Sequence, residues 1–369
     1  MPPLWNESRL TAKLEIDYPV IQGPLGGLSS QKLTAAVSNF GGLGSCGAHS
    51  LAPEQIKDVI AEIRSLTSKP FAMNLWVSME DEGARTSDEA AFNRALATLA
   101  AHLDALGAPR PKYKPYSPLR FEDQARALLD AKVPVFSFIV GIPPREILDE
   151  CRTKGIVTIG GATTPDDAAA LNDAGVDAIV ASGFEAGGHR GSFLRGAEDS
   201  LTGTFSLVPQ IVDVVDVPVI AAGGIGDARG VIAALALGAE GVQMGTVFLA
   251  CEESGASLVH RQALRGKKAR HTALTKGFTG RLARGIHNRL LEEVEPGRNG
   301  DSTLSVATKT RQKPLDSSRG GGSSGPSASV GGAKRQSFGL HRHNGFLALI
   351  GRGSFRNRGA HQSMECSPP

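Results

Sequence analysis

The sequence is poor in cysteine and has no long apolar run. Its four cysteines are far apart and form no CxxC pair, so we expect free thiols in a reducing cytosol and no metal site. No stretch approaches the roughly 20 apolar residues of a membrane-spanning helix. Residues 1–17 also lack the apolar segment of a signal peptide. These absences predict a cytoplasmic protein with no membrane partner.

The formal net charge of +3 comes from the end of the chain. Residues 301–369 hold ten Lys and Arg against three Asp and Glu, a net charge of +7, which leaves −4 for residues 1–300. The basic pI therefore does not indicate a nucleic-acid partner. From about Ser305 the sequence is rich in Gly, Ser and Arg and cannot bury a core. We expect residues 301–369 to be a disordered, low-complexity basic tail, atypical for a folded domain.

Short apolar runs rich in Val and Ile alternate with amphipathic stretches over the first 250 residues. The eight runs are 19–24, 42–46, 70–77, 133–140, 155–161, 177–183, 217–224 and 241–246. Such runs are typical of strands buried on both faces, and several intervening stretches have the start and stop residues of helices. Eight strand–helix repeats predict an α/β fold, a TIM (β/α)8 barrel. A doubly wound open sheet is the alternative, and the absence of an early GxGxxG favours the barrel.

One connection in the predicted barrel is much longer than the others. Residues 77–118 form an insertion between the third strand and its helix, with a predicted helix at about 88–106 and two tyrosines, Tyr113 and Tyr116. Because loops that follow strands lie at the catalytic end of a barrel, the insertion is a candidate lid; a decorative insertion is the alternative. We assign residues 1–300 to one barrel domain, in which the stretch after about residue 272 is polar and partly helical.

Glycines end the seventh and eighth predicted strands. Gly223 and Gly224 end one run, and Gly245 lies near the end of the other, with the hydroxyl of Thr246 beside it. Barrels often bind phosphate with the loops after these two strands, and glycine lets backbone N–H groups approach an anion. The spacing predicts a phosphate held mainly by the backbone. Tight strand-to-helix turns are the alternative reason for these glycines.

Two other strand ends carry groups that suit a flat ring such as a flavin. Gly23 and Pro24 end the first predicted strand and offer exposed backbone, and Asn74 lies near the end of the third. A buried asparagine needs hydrogen-bond partners, which either a structural network or a ligand can supply.

A histidine stands among glycines after the sixth predicted strand, in the sequence GFEAGGHRGS (183–192). Imidazole titrates near neutral pH, so His189 is suited to proton transfer at the catalytic end of the barrel. Gly187 and Gly188 leave room beside it for a ring and a substrate. His49 also follows a strand, but it has no such glycines around it, and we assign it no function.

The motifs EAGGHRG, IQGP, MNLW, VIAAGGIGDARG and QMGTVFLACEES together resemble the nitronate monooxygenase family, once called 2-nitropropane dioxygenases, over about residues 14–300. The resemblance implies a TIM barrel that binds FMN without a covalent bond and uses His189 as its catalytic residue. The flavin contacts that it implies are Gly23, Pro24 and Asn74 beside the isoalloxazine, Ser182 and Gly187 elsewhere on the flavin, and Gly224, Gln243, Met244, Gly245 and Thr246 at the ribityl phosphate. Many relatives carry Gln at the position of Ser182, and the tail departs from the family pattern.

The implied reaction is the FMN-dependent oxidation of alkyl nitronates by O2 to carbonyl compounds and nitrite. In this reaction His189 deprotonates a neutral nitroalkane or orients the nitronate, and the partners are the small-molecule substrate and O2. One alternative is a flavin-dependent enoyl-thioester reductase of the same superfamily, which would use NAD(P)H. Another is an inactive flavin-binding barrel. The sequence indicates no particular oligomeric state.

Overall fold

Eight parallel strands form the centre of the protein in a computed structural model, which describes residues 5–77, 89–114 and 119–294. In chain order the strands are β1 (Val20–Gln22), β2 (Gly44–Gly47), β3 (Phe71–Trp76), β4 (Val135–Ile139), β5 (Val157–Ala162), β6 (Ala178–Ser182), a two-residue β7 (Gly188–His189), β8 (Val219–Ala222) and β9 (Gly241–Met244). All except β7 belong to one sheet in the order β1-β9-β8-β6-β5-β4-β3-β2. Each of the eight apolar runs overlaps one of these strands, so the predicted TIM barrel is confirmed.

Within the described residues the strands are accompanied by helices, most of which cover the outside of the sheet. They are α1 (Arg9–Leu14), α2 (Gln31–Phe40), α3 (Pro53–Leu66), α4 (Glu89–Ala105), α5 (Phe121–Asp130), α6 (Arg145–Lys154), α7 (Pro165–Asp173), α8 (Thr204–Val212), α9 (Ala228–Ala236), α10 (Thr246–Leu249), α11 (Leu258–Arg265) and α12 (Arg289–Val294). Side chains of Ser30, Thr164 and Asp227 accept hydrogen bonds at the starts of α2, α7 and α9, and glycines with positive φ end α2 and α6. The predicted start and stop signals are confirmed there. Across the described parts of the chain, no helix combines the length and apolarity that crossing a bilayer would require.

Alternation along the strands separates two cores. Met73 of β3 and Phe136 of β4 point outward into the layer between sheet and helices. Their neighbours Ala72 and Val135 point into the barrel, where they pack in one cluster with Leu10 of α1. Because successive side chains of a strand face opposite sides, each strand contributes to both cores. The short helix α1 thus fills the end of the barrel at which the strands begin.

The sheet is closed at β1 and β2 by very few backbone contacts. One parallel bridge joins Ile21 to Leu43. Beyond it the side-chain amide of Gln22 continues the pairing, since its Nε2 donates to the Ser45 carbonyl at 2.7 Å and its Oε1 accepts from the Ser45 N–H at 3.3 Å. Gln22 is fully buried. A side chain therefore satisfies the backbone groups of β2 that a longer β1 would have paired.

A β-hairpin follows the barrel where the sequence predicted a polar, partly helical stretch. Strands β10 (Thr272–Thr275) and β11 (Ala283–Ile286) are antiparallel, and β11 also pairs with β7, placing Ala283 opposite His189. The helical part of that prediction is confirmed by α12, but the hairpin was missed. Its strands are short and carry no apolar alternation, and β7, with which β11 pairs, lies about ninety residues earlier in the chain.

The described part of the insertion is the helix α4 and the segment after it, so the predicted helix at about 88–106 is confirmed. Ala95 of α4 is buried in a small cluster with Leu99 and Leu290 of α12. The ring of Tyr113 packs on Phe92 of α4, with centroids 5.6 Å apart. Tyr116 and the basic tail at 301–369 lie outside the described residues. The lid and the tail therefore stay predictions.

We predict that Gly44→Ala strongly destabilises the barrel. A Cβ at this position of β2 would lie 1.9 Å from the backbone oxygen of Thr34 in α2, so strand and helix would have to separate. The expected loss in free energy of unfolding is about 3 kcal/mol, the upper end for overpacking. Urea unfolding measures it, with Gly226→Ala as control, since there the nearest atom would be 3.9 Å away. Equal stability of the two variants would contradict close packing between β2 and α2.

Candidate active site

The inward side chains become polar toward the ends of the strands. Asn74 and Trp76 of β3 follow the inward Ala72, Ser137 follows the inward Val135, and Ser182 follows the inward Val180. Gln243 of β9 also faces inward, since its neighbours Val242 and Met244 lie in the outer core. The carboxyl ends of all eight strands meet at this end of the barrel, which is where barrel enzymes hold their substrates.

The glycines that the sequence singled out meet on one rim at this end. The Gly23 N–H donates to the Met244 carbonyl at 2.8 Å, which joins the ends of β1 and β9. A Cβ on Gly187 would lie 3.7 Å from the Thr246 hydroxyl, so the loop after β6 reaches the end of β9. A Cβ on Gly224 would lie 3.5 Å from Glu185 in that same loop. The ends of β1, β6, β8 and β9, where the sequence placed these residues, therefore lie together.

Two of the predicted contacts have roles that the sequence did not indicate. The Met244 side chain is buried in the outer core, so only its backbone can reach a ligand. Gly223 has φ of +110°, and a Cβ there would lie 2.8 Å from the Thr204 hydroxyl and 3.0 Å from the Ala186 nitrogen. The space beside Gly223 is filled by protein, so this glycine is needed for packing between two loops rather than for clearance around an anion.

Asn74 is part of a structural network. Its side-chain Nδ2 donates to the Ser137 hydroxyl at 3.0 Å, and its backbone carbonyl accepts from the Ala48 N–H at 2.8 Å. The two side chains lie side by side because Asn74 and Ser137 are paired in parallel register. The bond to Ser137 establishes the structural network. A contact between Asn74 and a flavin stays a prediction.

His189 sits in β7, held between the hairpin and the barrel. Its Nε2 lies 2.7 Å from the Thr279 hydroxyl, which belongs to the loop between β10 and β11. Its ring meets Trp76 edge-on, with centroids 4.9 Å apart and an interplanar angle of 72°. The Arg281 guanidinium lies over the same indole at 5.3 Å. A hydroxyl can donate to or accept from a ring nitrogen, so Thr279 can set which nitrogen of His189 carries the proton.

His49 reaches the same indole from another strand end. Its ring stacks on Trp76 with centroids 4.3 Å apart and an interplanar angle of 13°. Its Nδ1 is buried and has no hydrogen-bond partner among the residues that the structure describes. No local sequence pattern connects His49 with His189, because the two lie on loops of different strands and are joined through their contacts with Trp76.

Both imidazoles are neutral at neutral pH. Burial, followed by the charge of Arg281, lowers the pKa of His189 from its ordinary value of 6.5 to about 4. Burial, followed by electrostatic repulsion from a protonated His189 and from Arg281, lowers the pKa of His49 to about 4 as well. A positive potential that opposes a proton on these rings also stabilises a bound anion. Here that potential comes from Arg281, since burial, the larger cause, disfavours a charge of either sign.

Buried hydrogen bonds fix the loop that carries His189. Arg190, 5% exposed, donates to the carbonyls of Gly183 at 2.7 Å and of Ser200 at 2.8 Å, which ties the two ends of the loop together. The Glu185 carboxylate accepts from the N–H and the hydroxyl of Thr204 at the start of α8. Sequence reasoning overlooked both side chains, although they flank His189 in the same motif. Their proximity to the histidine was the available signal.

The residues on this rim fit a flavin. Among the described residues no atom lies within 4 Å of where a Cβ on Gly188 would be, and at Gly245 the nearest atom is 3.7 Å away, in Leu25. Backbone N–H groups there can approach a phosphate without obstruction. Polar side chains at the strand ends, Ser182 and Gln243 among them, lie partly exposed at the same end and can serve a flat ring. Within the described residues, no group of three or more His, Cys, Asp or Glu could hold a metal ion.

Comparison with known proteins identifies the family of this chain. The model of the nitronate monooxygenase family matches residues 7–325. The chain belongs to the nitronate monooxygenase family. A probable nitronate monooxygenase from Staphylococcus aureus strain Newman is 46% identical over 292 residues, which cover 79% of this chain and 81% of the relative.

Solved structures agree with the family assignment. Nitroalkane oxidase from Streptomyces ansochromogenes matches with a TM-score of 0.71 and 37% identity, over 78% of this chain and 82% of that one. FabK from Thermotoga maritima matches with a TM-score of 0.60 and 31% identity, over 77% of this chain and 75% of that one. This protein is therefore a flavin oxidoreductase of the nitronate monooxygenase type, from a family that acts on small molecules with O2.

We predict that the two neutral imidazoles make the fold less stable as the pH falls. In the unfolded chain each ring takes up a proton near pH 6.5, whereas in the folded protein it does so only near pH 4. The contribution of the two rings to the free energy of unfolding should therefore fall between these values, by on the order of 3 kcal/mol per ring at most, and stay level above about pH 7.

Urea unfolding across this range measures the effect in the wild type and in a double variant with His49→Phe and His189→Phe. The difference between the two proteins isolates the histidines from the carboxylates, which both proteins share. A difference in unfolding free energy that does not change with pH would show that the two rings are protonated equally in the folded and unfolded states.

Proposed function

We propose that the protein oxidises alkyl nitronates with FMN and O2 to carbonyl compounds and nitrite. The observation that carries this proposal is the position of His189: a buried, neutral imidazole against Trp76, near the charge of Arg281, at the glycine rim of the barrel. A nitronate is a small anion, and these surroundings favour an anion over a neutral molecule. The family and the similarity to a nitroalkane oxidase support the same reaction class.

We assign FMN as the flavin, because FMN carries a single phosphate, which backbone N–H groups near Gly224 and Gly245 suit. In this proposal Gly224, Gly245 and Thr246 hold the phosphate through backbone N–H groups and a hydroxyl. Gly23, Pro24 and Asn74 lie beside the flavin ring. The remaining contacts are the inward Ser182 and Gln243, the glycines Gly187 and Gly188, and the backbones of Gly223 and Met244. When bound, FMN accepts electrons from the substrate and passes them to O2.

The low pKa of His189 favours the nitronate over the neutral nitroalkane as the substrate. A group whose pKa is about 4 is a weak base at neutral pH. With the Thr279 hydroxyl donating to Nε2, the other ring nitrogen, Nδ1, carries the proton and can donate to a nitronate oxygen. We therefore assign His189 the role of orienting an anion that has already formed. A cytoplasmic location, indicated by the sequence, completes the proposal.

Anaerobic reduction of the bound flavin tests the reaction. Purified protein should be yellow, and propionate 3-nitronate should bleach its flavin absorbance in the absence of O2, whereas NADH should not. Acid extraction followed by chromatography should release FMN. Reduction by NADH but not by the nitronate would favour the enoyl-thioester reductase, and reduction by neither would favour an inactive barrel. A preparation without flavin would contradict the proposal.

We predict that His189→Phe lowers kcat for propionate 3-nitronate by about 10²- to 10³-fold, the range for losing one preorganised hydrogen-bond donor. Phenylalanine keeps an aromatic ring against Trp76, so flavin content should stay at the wild-type level. Steady-state O2 consumption measures the rate. His271→Phe, at an exposed histidine, is the control and should behave as wild type. A kcat for His189→Phe within twofold of the wild-type value would refute the assigned role.

A further inference from the structure

The backbone around His49 is firmly held at the catalytic end of the barrel. Gln124 of α5, 1% exposed, donates from Nε2 to the carbonyls of His49 at 3.0 Å and of Leu51 at 2.8 Å. The N–H of Ala48 donates to the Asn74 carbonyl. These bonds tie the loop after β2 both to a helix and to the neighbouring strand β3. The position of the His49 ring is therefore set by the barrel itself.

The ring of His49 is enclosed on two sides. It stacks on the Trp76 indole at 4.3 Å, and it lies against the backbone of Gly26, where a Cβ would come within 2.5 Å of its Cε1. Only a glycine at position 26 leaves room for the ring in this place. The enclosed ring keeps a buried Nδ1 that no described residue hydrogen-bonds.

An unpaired nitrogen of this kind is costly for the protein alone and is satisfied when a ligand supplies a partner. Two neutral imidazoles, His49 and His189, contact the same indole, and Arg281 lies over it. A neutral imidazole has one N–H to donate. A nitronate group has two oxygens that share one negative charge, so it can accept a hydrogen bond from each ring.

We propose that His49 is a second substrate-binding residue, whose Nδ1–H donates a hydrogen bond to an oxygen of the bound nitronate. The inference rests on the proposed function for the identity of the substrate. In this arrangement His49 binds the nitro group of the nitronate, and His189 orients the substrate for oxidation. It also gives a functional reason for the stacking of His49 on Trp76, which holds the donor in one orientation.

Two substitutions at His49 separate the hydrogen bond from the packing. His49→Phe keeps a ring on Trp76 and removes the donor, whereas His49→Asn has an amide that can donate from near the position of Nδ1. We expect His49→Phe to raise KM for propionate 3-nitronate by about 10- to 100-fold, the effect of losing one hydrogen bond to a charged group, with kcat changed much less. His49→Asn should recover most of the wild-type KM. Flavin content should be equal in all of these proteins.

Nitrate binding provides a readout that does not depend on turnover. Nitrate is a planar anion that resembles the nitronate head group but is not expected to reduce the flavin, and its Kd is measured from the perturbation of the flavin spectrum or of tryptophan fluorescence. The Kd should rise by about 10- to 100-fold in His49→Phe and stay at the wild-type value in His271→Phe. If nitronate fails to reduce the wild type while nitrate binding still depends on His49, the proposed oxidation fails and His49 stands as an anion-binding residue.

Two results would overturn the role of His49. One is a His49→Phe protein with wild-type KM and wild-type nitrate affinity, which would show that the donor contributes nothing to binding. The other is loss of flavin or of folding in both His49→Phe and His49→Asn, which would show that the ring serves the fold or the cofactor instead of the substrate.

Discussion

Closure of the parallel sheet is the constraint on which the site depends. β1 pairs with β9 over three residues, whereas its contact with β2 consists of one bridge extended by the buried amide of Gln22. Parallel strands in a closed sheet all end on the same side, so residues that are far apart in sequence meet there. The seam between β1 and β2 matters most for the site, because Gly26 and His49 follow these two strands and pack against each other across it.

A second long-range pairing completes the site above the barrel. β7 is only two residues long and carries His189, and β11 pairs with it from about ninety residues later in the chain. This pairing places Thr279 on the Nε2 of His189 and Arg281 over Trp76. Burial beneath the hairpin removes the protons from both histidines, while the arginine keeps its charge. The result is an arginine beside neutral hydrogen-bonding rings, which differs from a site built around a strong base.

Much of the fold could be predicted because its signals are local. Buried parallel strands are continuous apolar runs, and caps such as Ser30 and Gly41 mark helix ends within a few residues. The hairpin after the barrel could not be predicted in this way, since its polar strands are stabilised by β7 rather than by their own pattern. In the site, the motif around His189 was recognisable, but the glycines were harder to interpret. Gly223 and Gly188 look alike in sequence, yet a side chain at Gly223 would meet Thr204, whereas no described atom lies within 4 Å of a Cβ at Gly188.

The sequence by itself determined the strand and helix order, the barrel class, the family and the loop that carries His189, because each of these depends on residue types at short spacing. Only the tertiary structure decided which side chains surround that histidine. Trp76, His49, Thr279 and Arg281 lie on three other segments, and no local pattern links them. Their effect on the pKa of His189 depends on burial and on the position of one positive charge, and both arise only when the barrel closes and the hairpin packs against it.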